Sequence, residues 1–102
     1  MFILNIDDLD IKPCLLVDST QTNPEIVSGI LYLNYSFIPV EFYSKNNLPE
    51  AREKCQELLQ SGNTKFSIIT ESTEQFIVWS KNERLTPIKS VKKTKIKQLI
   101  CT

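Results

Sequence analysis

Residues 47–62, NLPEAREKCQELLQSG, carry the clearest structural signal in this chain of 102 residues. Apolar side chains recur there at the spacing of one helix face, which predicts a helix over residues 48–61. Asn47 is placed to cap the first turn, and Glu50 three residues later completes a capping box. Gly62 follows at the position where helices commonly end in a left-handed residue. The apolar stripe, which we expect to face the core, consists of Leu48, Ala51, Cys55, Leu58 and Leu59.

The segment before this helix, residues 29–43, has the composition of paired strands. It is rich in β-branched and aromatic residues, and a polar break at residues 34–36 predicts a hairpin. Pro39 lacks the N–H that a ladder needs. Its strand is therefore predicted either to lie at an edge of the sheet or to carry a bulge at this residue.

Four further segments predict strands, and the two after the helix alternate between apolar and polar residues. Residues 65–71 and 75–80 flank a short polar connection, so they predict a second antiparallel hairpin with a loop of three or more residues. Residues 2–6 and 14–18 predict two more strands near the start of the chain. The predicted order is β-β-β-β-α-β-β, an α+β fold in which a mostly antiparallel sheet carries the helix on one face.

Charge is distributed unevenly along the chain although its formal net charge is zero. Residues 1–60 hold nine acids and four bases, whereas residues 89–102 hold five lysines and no acid. We therefore divide the chain into a single domain, residues 1–88, and a basic C-terminal tail, residues 89–102. Such a tail is typical of an arm aimed at an anion, or of one that folds back on an acidic body. Its basic residues are Lys89, Lys92, Lys93, Lys95 and Lys97.

Hydropathy and cysteine content together predict a cytoplasmic protein that does not enter a membrane. Residues 1–6 are apolar for too short a stretch to be a signal peptide or a membrane span, and three aspartates follow at once. The three cysteines are widely spaced and contain no CxxC pair, so they indicate neither a disulfide framework nor a zinc site.

No catalytic pattern stands out. The chain has no histidine, which removes the commonest general base near neutral pH and the commonest zinc ligand. Asp7, Asp8 and Asp10, with Asp18, have oxygen ligands that Mg²⁺ or Ca²⁺ would accept, but they lack the spacing of a calcium-binding loop. We expect them to form a solvated turn, and we expect no enzyme activity, no cofactor and no metal site. A metal-dependent enzyme that uses these aspartates is the less favoured alternative.

A sheet with only one helix to cover it leaves a face that is exposed or meets a partner. We therefore predict a small non-enzymatic binding protein that acts through protein–protein contacts, self-association included, on a sheet face or edge. The alternative is a nucleic-acid-associated protein whose lysine tail makes non-specific phosphate contacts and whose rings stack on bases. The aromatic residues predicted to lie at the interface are Tyr32, Tyr35, Phe37, Tyr43 and Trp79.

Overall fold

The computed structural model, which describes residues 3–62 and 64–88, is a curled sheet that carries a helix on one face. Its elements are β1 (Ile3–Asn5), β2 (Ile11–Val17), β3 (Ile26–Tyr32), β4 (Tyr35–Ser44), α1 (Leu48–Gln60), β5 (Ser67–Glu71), β6 (Gln75–Lys81) and β7 (Thr86–Pro87). A 3₁₀ turn, Lys45–Asn47, joins β4 directly to α1. The strand order across the sheet is β1-β5-β6-β4-β3-β2-β7.

The predicted α+β class is confirmed, but the sheet is mixed and curled into a half-barrel instead of being mostly antiparallel and flat. The first strand, β1, runs parallel to β5, with Ile3 opposite Ile69, while the other paired strands are antiparallel. This pairing lets the alternating side chains of β1 contribute to both faces of the sheet. Ile3 packs against the cluster beneath α1, and Leu4 packs against the cluster on the opposite face.

Each face of the curled sheet has its own apolar cluster. On the helix side, α1 packs on β4, β5 and β6. On the other side no helix is needed, because the curl brings β2 and β3 towards β5 and β6. The helix-side cluster consists of Ala51, Cys55, Ile69, Phe76 and Val78. The cluster inside the curl consists of Ile11, Ile30, Phe37, Ile68 and Trp79.

Two local features accompany the curl. The register of β4 against β6 shifts between Pro39 and Glu41, which confirms the bulge predicted at the proline and increases the local twist. At Gly29, a Cβ atom would overlap the carbonyl oxygen of Phe37 and lie 2.5 Å from Cδ1 of Leu16. A glycine is therefore required where β3 approaches its neighbours most closely.

The helix prediction is confirmed to within one residue, but its predicted start is wrong in detail. Gly62 has a φ of 79°, as expected just beyond a helix end. Asn47 makes no side-chain capping hydrogen bond. Its backbone (φ −110°, ψ 36°) lacks the extended conformation of an N-cap, because the 3₁₀ turn leads straight into α1. Leu59 remains 38% exposed, while Ala51 and Cys55 are fully buried.

Candidate functional site

The helix leaves part of its own side of the sheet uncovered, at the corner where β2 begins and β3 ends. Lys12 lies opposite Leu31 in the ladder, so the two side chains share a face. The pairings continue from Leu31 through β4 to the face beneath α1. We call the corner the β2–β3 corner and define it by the residues that line a shallow depression of about 240 Å³: Asp10, Lys12, Leu31, Leu33 and Asn34.

A two-residue hairpin turn forms the rim of the β2–β3 corner. Tyr32 pairs with Tyr35, and the two residues between them have positive φ angles, 55° at Leu33 and 68° at Asn34. Positive φ at both positions is the arrangement of a type I′ turn, which favours asparagine, aspartate and glycine. Asn34 fits this preference and Leu33 does not. The turn comes earlier than the predicted break at residues 34–36, whose last two residues belong to β4.

Leu33 combines an unfavourable backbone with an exposed apolar side chain. The left-handed conformation costs a residue with a Cβ atom roughly 1–2 kcal/mol. Its side chain is 56% exposed, so packing within the fold returns little of this cost. Strained residues that the fold does not require are often retained for function. The signal in the sequence is the Leu-Asn pair between two strand-forming segments, which the polar break at residues 34–36 obscured.

The turn between β1 and β2 contains the aspartates that the sequence offered as metal ligands. The N–H of Asp7 donates to Oδ1 of Asn5, and the N–H of Asp10 donates to Oδ1 of Asp8, each at 2.8 Å. These bonds build the turn and leave Leu9 90% exposed at its tip. Within residues 3–62 and 64–88, no three acidic or cysteine side chains are grouped in a way that could hold a metal ion.

The outer edge of β2 is poorly suited to accept another strand. The carbonyl of Leu15 accepts the N–H of Ile88, the residue that follows β7. The backbone N–H and C=O groups of residues 11, 13 and 15 point towards the same edge of β2, because this direction repeats every two residues. Pro13 has no N–H, and the N–H of Ile11 already donates to Asp8 O at 3.0 Å. These features leave the outer edge of β2 few groups to pair with a further strand.

The predicted interface aromatics occupy different environments. Phe37 and Trp79 are buried inside the curl, where the indole N–H donates to Oγ1 of Thr70 at 2.8 Å. Tyr32 and Tyr43 are half-buried, one against each of the two apolar clusters. These four side chains serve the core more than the surface.

Tyr35 is the predicted aromatic residue that the structure leaves exposed, at 42%. Its ring meets Phe66 edge-on, with the centroids 6.2 Å apart. Nζ of Lys81 lies 4.0 Å from its centroid, within cation–π range. Tyr35 lies opposite Tyr32 in the ladder, so its ring is on the face inside the curl and not on the face of Leu31.

The predicted phosphate contacts, the lysines of residues 89–102, lie outside the described residues. A basic depression of about 400 Å³ stands near the strand that leads to them, and its charged lining consists of Lys65, Lys81, Arg84 and Glu83. Nζ of Lys81 lies 3.6 Å from the Glu83 carboxylate, which partly neutralises the depression.

Cys14 lies on β2 opposite Gly29, and its side chain is half-buried. Burial raises the pKa of the Cys14 thiol above its ordinary value. The group is therefore protonated at neutral pH and is a weak nucleophile, so it contributes packing surface.

No family model matches this chain, and no significant match was found among curated proteins or solved structures. No helix in the described part of the chain is long and apolar enough to cross a membrane.

Proposed function

We propose that this protein is a non-enzymatic binding protein that recognises a protein partner through the β2–β3 corner. The observation that carries the proposal is Leu33, an exposed apolar residue held at a φ of 55° in a turn that favours polar residues or glycine. Burial of this side chain within the fold contributes little to stability, and its left-handed backbone conformation lowers stability. Burial of the Leu33 side chain against a partner supplies the free energy that offsets this conformational cost.

The composition of the corner suits such contact. Full burial of a leucine side chain is worth about 1.5–3 kcal/mol, enough to recover the conformational cost at Leu33. Asp10 and Lys12 border the apolar centre, as charged residues border the centre of many interfaces. Leu9 adds exposed apolar surface from the neighbouring turn.

The substitution Leu33→Asn tests the proposal because it separates folding from recognition. Asparagine tolerates the left-handed region, so the variant is expected to be about 1 kcal/mol more stable than the wild type in urea unfolding. In quantitative cross-linking in extracts of the source cell, the variant is also expected not to cross-link to the proteins that cross-link to the wild type.

Leu59→Gln is the matched control, because it removes another exposed leucine, which lies on α1 and does not line the β2–β3 corner. It should retain the same cross-linked proteins as the wild type. If Leu33→Asn also retains all of them, the β2–β3 corner is not the recognition surface.

A second candidate function is non-specific nucleic-acid binding, favoured by the position of the basic depression. Arg84 lies in the loop that leads into β7, and the five tail lysines follow that strand in the chain. Full-length protein would then bind labelled single- or double-stranded nucleic acid with a salt slope of at most about −4.5 from the tail, at about −0.9 per phosphate contact. Binding that persists after all five tail lysines are changed to glutamine would contradict this role for the tail.

A further inference from the structure

We infer that the partner of the β2–β3 corner is a second copy of this chain, which forms a twofold-symmetric dimer. This inference rests on the proposed function, since it names the partner of that same surface. A twofold interface uses one patch on both copies, so the patch must be complementary to itself. The β2–β3 corner has this property in shape and in charge.

The complementarity in shape comes from a projection and a depression in the same patch. Leu33 is exposed at the rim of a depression of about 240 Å³ whose floor includes the half-buried Leu31. A twofold axis through the corner places the Leu33 side chain of each copy against the Leu31 side of the other. Both exposed leucines are then removed from water in one step.

The complementarity in charge comes from one acid in the turn before β2 and one base on β2. Asp10 and Lys12 both line the depression, one on each side of Ile11 at the start of β2. Opposed copies bring Asp10 of each against Lys12 of the other, which makes two ion pairs about the axis. The formal net charge of zero means that two whole chains do not repel each other.

The extent of the patch predicts a weak dimer. The few side chains involved place the contact below the standard interface size, under about 1,200 Å² in total. We therefore expect dissociation constants in the micromolar range or above. Because the β2 edge is blunted by Pro13 and by β7, the contact closes as a pair and does not extend the sheet from chain to chain.

Sedimentation equilibrium on the full chain, from micromolar to near-millimolar concentration, tests the inference. Two variants that reverse the charge of one residue each are compared with the wild type. Wild type should shift from monomer to dimer as its concentration rises. Asp10→Lys and Lys12→Asp should each weaken the dimer at least tenfold, because each variant opposes like charges twice. An equimolar mixture of the two variants should restore dimer formation, since every charge then meets its opposite.

Thermal unfolding of each variant shows whether it is folded. The Asp10 side chain accepts no hydrogen bond within the turn described above, so the exchange leaves that turn intact. Leu33→Asn provides a second test, in which a more stable protein should be monomeric at the concentrations where the wild type dimerises.

A wild type that stays monomeric throughout, or a mixture that fails to restore the dimer, would overturn the inference. Such a result is distinguishable from failure of the proposed function. A different protein that cross-links to wild type and is lost in Leu33→Asn would keep the β2–β3 corner as a recognition surface and replace the second copy as its occupant.

Discussion

The part of the sheet beneath α1 and the β2–β3 corner differ in how completely they bury their apolar side chains. Beneath the helix, Ile69 and Cys55 are fully buried, and polar groups are paired: the Cys55 thiol donates to Ser67 Oγ at 3.2 Å, and Ser67 Oγ donates to Trp79 O at 2.7 Å. At the β2–β3 corner, Leu31 is half-buried and Leu33 is exposed. The first region supplies stability, and the second retains exposed apolar surface.

The largest expected effect is the loss of stability when a side chain in the helix-covered region is truncated. Ile69→Ala leaves a cavity at a fully buried site and should cost about 2–5 kcal/mol. Leu31→Ala, at the half-buried corner, should cost about 1 kcal/mol, because its surroundings already include water. Urea unfolding of both variants gives the comparison. Equal losses would show that the two regions do not differ in their contribution to stability.

Gly29 lies at a closely packed point of β3, and substituting it sharpens the comparison. Gly29→Ala should cost about 1–3 kcal/mol, since the new methyl group would overlap the backbone of Phe37 as well as Leu16. Gly62→Ala is the control: nothing lies within 4 Å of its added Cβ, so only the φ of 79° opposes it. We expect the Gly29 variant to show the larger fall in urea midpoint. The reverse order would indicate that the close approach of β3 is readily relieved.

The smallest expected effect concerns Asp18, which follows β2. Hydrogen bonds from the hydroxyl and the backbone N–H of Thr20 hold the pKa of the Asp18 carboxyl below its ordinary value of 3.8. A pKa that is lower in the folded state stabilises the fold above pH 3.8, and this stabilisation is lost as the pH falls through the folded-state value.

The melting temperature of the wild type, measured from pH 5 to pH 2, roughly the range in which a carboxyl titrates, reports this loss of stability. Thr20→Val, which keeps the backbone N–H and removes the hydroxyl, should show a shallower fall in melting temperature than the wild type. Identical pH profiles for the two proteins would mean that the hydroxyl contributes nothing to the pKa of Asp18.

The local elements were predictable because local patterns specify them. The helical spacing of Ala51 and Cys55 and the terminating Gly62 located α1 to within one residue. Strand-forming segments and the breaks between them predicted both hairpins, although the first turn lies earlier than predicted. The missing N–H of Pro39 predicted an edge strand or a bulge, and the bulge is observed. In each case the cause lies within a few residues of its effect: a period of 3.6 or of 2, a positive φ, or a lost donor.

The arrangement of these elements was decided only by tertiary structure. Alternation in β1 shows which side chains share a face, but it does not show that β5 is the neighbour or that the two run parallel. Nor does it show that the curl buries Phe37 and Trp79 while leaving Leu33 in water. Which apolar side chains lose contact with water depends on how far the sheet curls and where α1 ends, and these are properties of the whole packed chain.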